Sequence, residues 1–151
     1  MEFLIQNKKK KNVKKIISED HFIIEDNSAY AGKHIVIDLW NTTFDNKVST
    51  LKKIIKKAIN IANAKMLHIH LHRFGKEQGI SGVAVLAESH ISVHTWPERE
   101  YIAFDIFMCG DTMPEMAAKY LVKFLNPKRK NINIIKRGIT AIDEKMYKLA
   151  K

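Results

Sequence analysis

Cysteine occurs once, at Cys109, so an internal disulfide framework is excluded and the usage suits a reducing compartment. No stretch approaches the roughly 18 consecutive apolar residues of a membrane span. The first residues, Met1 to Gln6, run straight into lysines and hold no apolar segment of about 7–15 residues for secretion. A cytoplasmic protein without a membrane segment is therefore expected. Internal repeats are absent, and the one low-complexity feature is a lysine run, Lys8 to Lys11 with Lys14 and Lys15. The run contributes to a net charge of +10 but carries no interleaved aromatic residues. Proteins that hold single-stranded nucleic acid stack its bases as well as neutralise its phosphates, so the run reads as a solvated arm.

What is present is a globular balance, 46% hydrophobic and 28% charged residues in one domain-sized chain. Residues 1–30 read as a basic, irregular extension in which Ile16–Ile17 and Phe22–Ile24 could pack locally. Residues 31–151 form the domain proper. Lys33–Trp40 is rich in β-branched residues and predicts a strand. Asn46–Ala62 places Val48, Leu51, Ile54, Ile55, Ala58, Ile59 and Ala62 at helical spacing. Lys65–Phe74 alternates, with Leu67, Ile69 and Leu71 on one side and His68, His70 and His72 on the other, which predicts a half-buried strand. Ile80–Ala87, His90–Trp96 and Glu100–Phe107 predict three more strands. Met113–Leu125 predicts a second helix opened by Pro114, and Lys130–Lys136 a final strand. This order implies an α+β fold: a two-layer α/β sandwich, mostly antiparallel, with helices on one face.

The segment that carries chemistry is Gly79–Gly110. It contains Glu88-Ser89-His90, then His94-Thr95-Trp96-Pro97-Glu98, then Cys109-Gly110. Upstream stand His72-Arg73-Phe74 and Ile80-Ser81-Gly82-Val83, and downstream Arg137-Gly138. Together these resemble the self-cleaving, pyruvoyl-dependent S-adenosylmethionine decarboxylase proenzymes of prokaryotes over about residues 32–138. The resemblance implies autocatalytic cleavage between Glu88 and Ser89, leaving a covalent pyruvoyl group derived from Ser89. Decarboxylating an α-amino acid leaves a carbanion that needs an electron sink, and a pyruvoyl carbonyl supplies one through a Schiff base with the substrate amine. By the same resemblance, His94 is the base of maturation and Ser81 stabilises its oxyanion or ester. Cys109 is the proton donor of turnover, while Phe74 stacks on adenine and Glu98 takes the ribose hydroxyls. The product would be the aminopropyl donor for spermidine synthesis.

Strand geometry adds a constraint. A turn at Pro97–Glu100 sets Ser89 opposite Met108 or Cys109, within reach in one chain. A turn near Ala87–Glu88 sets Ser81 opposite His94. Yet His94 lies five extended residues from Ser89, roughly 16 Å at about 3.3 Å per residue. Ser81 and His94 are therefore expected to serve Ser89 of another subunit, in a homodimer with shared active sites that Phe74 and Glu98 would join.

Two features resist the family pattern: the N-terminal thirty residues have no clear counterpart in it, and one loop departs from it. The loop Gly75–Ile80 lacks a proline often found there and is one residue longer, beside the adenine pocket that the resemblance implies. The competing reading is thus a pyruvoyl-dependent decarboxylase of ornithine or arginine on the same fold. A non-catalytic basic binding module is the third reading, and the intact set Glu88, Ser89, His94 and Cys109 argues against it. His68, His70 and His72 could gather zinc, but no acid partner accompanies them, and no metal is expected. They would line a sheet face toward the other layer or a partner subunit.

Overall fold

Apolar and polar residues alternate through Gly32–Trp40, so Ile35, Ile37 and Leu39 are fully buried while His34, Val36, Asp38 and Trp40 point the other way. The computed structural model describes residues 15–142 and residue 146, so the lysine run up to Lys14 lies outside the described residues. In chain order the elements are β1 (Ile16–Ile17), β2 (Ile23–Glu25), β3 (Ser28–Tyr30), β4 (Gly32–Trp40), α1 (Val48–Ile61), β5 (Met66–Arg73) and β6 (Ile80–Leu86). There follow β7 (Ser89–Trp96), a 3-10 turn (Pro97–Arg99), β8 (Tyr101–Cys109), α2 (Pro114–Leu125), β9 (Arg129–Arg137) and β10 (Thr140–Ala141).

The large sheet runs in the order β5-β6-β7-β8-β4-β9, and every neighbouring pair is antiparallel. Strands β5 to β8 are a meander of short turns, while α1 and α2 carry the chain into and out of it. Both helices pack on one sheet face, sharing a core with Ile35, Ile37, Ile91, Phe104 and Ile106. Helix α1 buries Leu51, Ile54, Ile55, Ala58 and Ile59 along one stripe. Its N-cap, Lys47, has no side-chain cap bond, but Asp45 just ahead braces the entry, accepting the Lys47 N–H at 3.1 Å and the Thr50 hydroxyl at 2.9 Å. Helix α2 opens on Pro114, whose missing N–H would have had no helical partner. Each large aliphatic or aromatic side chain fully buried here contributes about 1.5–3 kcal/mol, and this layer is the principal stabiliser of the fold.

The two-layer α+β sandwich and its antiparallel sheet are as the alternation predicts. Two expectations need correction. Pairing passes from Met66 opposite Leu86 to His68 opposite Val85, so Leu67 is the extra residue of a bulge and stands 60% exposed. Met66, Ile69 and Leu71 face the core instead. From residue 15 on, the stretch expected to be irregular pairs into a second sheet, β1-β2-β3-β10. Tyr30 is fully buried beneath it and donates its hydroxyl to Glu25 at 2.9 Å, and Lys136 of β9 reaches the same carboxylate at 3.0 Å. The short sheet is thereby fastened to the edge of the large one.

Phe104 is fully buried at the middle of β8. Phe104→Ala should lower unfolding free energy by about 3–5 kcal/mol, because a cavity adds to the lost transfer energy. Equilibrium urea unfolding measures the loss.

Candidate active site

The predicted site residues fall into two groups, one at each end of the β6–β7–β8 meander. At the first end, β6 and β7 pair up to Leu86 opposite Ser89, leaving Ala87 and Glu88 as the turn. Glu88 sits at φ 63°, a left-handed conformation costing a non-glycine residue roughly 1–2 kcal/mol. Ser89 begins β7 and is only 8% exposed. The β7–β8 register, His90 opposite Phe107, brings Ser89 level with the end of β8, where its Oγ accepts the Cys109 backbone N–H at 3.2 Å. Burial, and secondarily the Glu88 carboxylate, push the Cys109 thiol above the ordinary thiol range. At neutral pH the sulfur therefore keeps its proton, as a donor must and a nucleophile must not. On the neighbouring strand a Cβ at Gly32 would lie 2.5 Å from the Met108 carbonyl oxygen and 3.1 Å from Cys109 Sγ, so glycine there is a packing requirement.

At the other end Ser81 lies directly opposite His94, the pairing anticipated from the turn at Ala87–Glu88. Thr95 is buried and accepts the Ile80 N–H at 2.8 Å, which pins the start of β6 to the end of β7. Gly79 permits this approach: a Cβ there would meet the Thr95 carbonyl oxygen at 2.1 Å. The His94 ring stacks on Trp96 with centroids 3.9 Å apart and planes 11° off parallel. The stack continues through Tyr101, 4.9 Å from Trp96, to Trp40, 5.2 Å further on, and ends under the Arg129 guanidinium at 3.8 Å. Tyr101 donates to Asp38 at 2.6 Å; burial and that carboxylate push its phenol up to about 12. Phe74 follows β5, is 56% exposed, and holds its ring 6.0 Å from that of His94. With Gln78, His94, Trp96 and Glu98 it lines an open cleft of about 430 Å³. An exposed aromatic ring beside a carboxylate suits a flat ligand that carries hydroxyl groups.

One chain thus gathers Glu88, Ser89 and Cys109 at one end, and Phe74, Ser81, His94 and Glu98 at the other. The length of β7 keeps the two apart. Thr95 and the stack behind His94 were not anticipated. Trp96 and Tyr101 flank the turn and so could have been paired from sequence, but Trp40 joins them only because β4 lies beside β8. His68, His70 and His72 are exposed on the face away from the helices. Among the described residues no group of three or more His, Cys, Asp or Glu side chains is placed to hold a metal ion. On that same face Arg137 stands 3.2 Å from His34 Nδ1, and His34 Nε2 stands 3.1 Å from Asp105. Arginine can only donate, so Nδ1 accepts and Nε2–H donates to the carboxylate.

Fold and site together define a one-domain α+β sandwich enzyme organised around a serine behind a hairpin turn. The protein family described as S-adenosylmethionine decarboxylase matches residues 33–138. The S-adenosylmethionine decarboxylase proenzyme of Methanococcus maripaludis strain C5 is 42% identical over 122 residues, 75% of this chain and 94% of that protein. The proenzyme of Methanococcus aeolicus is 44% identical over 113 residues, 72% of this chain and 95% of its own. The crystal structure of the adenosylmethionine decarboxylase from Aquifex aeolicus superposes with a TM-score of 0.67 at 32% identity, covering 76% of this chain and 95% of that one. The chain belongs to the S-adenosylmethionine decarboxylase family.

The thiol can be titrated directly. In the Ser89→Ala chain the Cys109 thiolate should form above the usual range, and Glu88→Gln should lower the midpoint, since removing a negative neighbour favours the anion. Ultraviolet thiolate absorbance against pH reads both; a midpoint unmoved by Glu88→Gln would contradict the assignment of cause.

Proposed function

We propose that this chain decarboxylates S-adenosylmethionine through a pyruvoyl group made from its own Ser89. Family membership supports the reaction, a carboxy-lyase reaction, and the substrate; relatives named as proenzymes support maturation by cleavage. Nothing among them favours ornithine or arginine. The observation that carries the reading is Ser89 itself, buried behind the left-handed Glu88 turn with its Oγ held by the Cys109 N–H.

In maturation the Ser89 Oγ attacks the Glu88 carbonyl carbon. The peptide C–N bond breaks, an ester replaces it, and the Ser89 amine is freed. Ser81 hydrogen-bonds the oxyanion that forms on the way. His94 removes the Ser89 Cα proton, the Cβ–Oγ bond breaks, and Glu88 departs as a carboxylate. Water then displaces the nitrogen of the dehydroalanine as ammonia, which leaves the pyruvoyl end. The residues fit that group: Ser89 starts a strand, so a cut in the turn before it frees an end without breaking the sheet. In turnover the group supplies a carbonyl electron sink conjugated to the substrate amine. Phe74 stacks on the adenine, Glu98 accepts from the ribose hydroxyls, and Cys109 delivers a proton to the substrate α-carbon.

Ser81, His94, Phe74 and Glu98 act on Ser89 of a second copy, because roughly 16 Å of strand separates the two groups within one chain. Two shared sites in a homodimer follow. The helix-free sheet face, with Val83 37% and Val85 42% exposed, supports contact between copies. The product serves as the aminopropyl donor for spermidine. A cytosolic location agrees with the single unpaired cysteine, and no helix among the described residues is long and apolar enough to cross a membrane.

Intact mass spectrometry should find residues 1–88 and residues 89–151 as separate pieces, the second with a blocked pyruvoyl end, and Ser89→Ala as one chain. Carbon dioxide should be released from S-adenosylmethionine and not from ornithine or arginine. Wild-type protein that stays uncut with an ordinary serine at 89 sinks the proposal.

The shared site has its own test. Mixing Ser89→Ala with His94→Ala chains should restore cutting of the His94→Ala chain, which keeps its serine and borrows its partner's histidine. No cutting in the mixture rejects the shared arrangement.

A further inference from the structure

The turn Ser18–Phe22 lies outside the residues that match the family, 33–138, yet it touches the cleavage junction. His21 Nε2 stands 2.9 Å from Glu88 Oε1. The His21 carbonyl accepts the Gly110 N–H at 3.1 Å, and Gly110 follows Cys109, whose own N–H holds the Ser89 hydroxyl. A Cβ on Gly110 would lie 3.5 Å from His21 Nδ1, so the imidazole rests over that glycine. The turn is also braced from within. Its His21 N–H donates to the Ser18 carbonyl and its Ser18 N–H to the Phe22 carbonyl, both at 3.0 Å. The Ser18 hydroxyl, on a residue 4% exposed, donates to Asp20, and Ile23 and Ile24 just beyond are buried.

His21 is therefore a fixed arm, and Glu88 is what it holds. The side chains of the pair are 48% and 54% exposed, and ion pairs so open to water add little to folding. Its consequence is geometric. Glu88 occupies a left-handed conformation from which a non-glycine residue tends to relax. Ser89 Oγ and the Glu88 carbonyl carbon belong to adjacent residues, so reach is assured and orientation alone decides whether attack is productive. A carboxylate tethered at its tip restrains the backbone that sets this orientation.

We propose that His21 is a positioning residue for self-cleavage, holding the Glu88 carboxylate so that the left-handed turn keeps its carbonyl open to the Ser89 hydroxyl. It touches no reacting atom and transfers no proton. The inference rests on cleavage between Glu88 and Ser89, and assigns a task to the segment ahead of the family-matched region.

The test follows the cutting of freshly synthesised full-length chains over time. His21→Ala should cut about tenfold more slowly, short of the ~10²-fold that a 1 Å misplacement of reacting groups costs. His21→Gln, which keeps an N–H for the carboxylate, should recover most of the rate. In a Glu88→Ala background, His21→Ala should add little further loss, because the pair acts as a unit. A wild-type rate for His21→Ala overturns the proposal. So does a glutamine variant as slow as the alanine one, or a full additional loss in the Glu88→Ala background, since each makes His21 merely structural. If wild-type chains stay uncut and match Ser89→Ala, the cleavage reading itself fails; if they cut normally, failure is confined to His21.

Discussion

An extended strand advances about 3.3 Å per residue and cannot double back, and this rise governs which side chains can meet in the large sheet. Strand β7 carries Ser89 at its first position and His94 near its last. Its neighbours turn at opposite ends: β6 arrives through Ala87–Glu88, and β8 leaves through the 3-10 turn at Pro97–Arg99. What each turn brings close is settled by register. The backbone N–H of Cys109 returns to Ser89 along β8, and Ser81 returns to His94 along β6. A slip of one residue in either ladder would send these side chains to the wrong face, and buried Ile91, Val93, Ile102 and Phe104 make such a slip prohibitive. The hydrophobic layer thus stabilises the fold and sets the spacing of the chemistry at once.

The two ends differ physically. The Ser89 end is strained and negative: a left-handed glutamate, a serine almost cut off from water, and a thiol that keeps its proton because burial and charge both disfavour the anion. The His94 end is open and aromatic. There a ladder of three rings, on β7, β8 and β4, backs the imidazole, and the cleft in front of it is open and holds about 430 Å³. The imidazole is thus backed rigidly on one side and reachable from the other.

Much of this was legible in the residues. Both active-end registers follow from turns of two to four residues inside one continuous segment, where pairing is a matter of counting. The arrival of the Met108–Cys109 end of β8 beside Ser89 and the pairing of Ser81 with His94 could be named for that reason, and the helices for their apolar stripes. What escaped depends on distant parts of the chain. The bulge at Leu67 is silent because Leu67, Ile69 and Leu71 alternate whether or not a residue is extra. The second sheet needs Thr140–Ala141 to pair with Ser28–Ala29 across more than a hundred residues. Trp40 joins the ring ladder only because β4 inserts between β8 and β9, which no local pattern encodes.

That insertion has one more consequence. Across the large sheet, β5, β6 and β4 precede residue 88 in the chain, while β7, β8 and β9 follow it, in the spatial order β5-β6-β7-β8-β4-β9. A chain cut there becomes two interleaved pieces, with β4 threaded between two strands of the other fragment. Three hydrogen-bonded seams, β6 to β7, β8 to β4 and β4 to β9, join the pieces, and β3 with β10 adds a fourth in the small sheet. The fragments are dovetailed rather than merely touching, and neither can be drawn out without dismantling the sheet and the core beneath it.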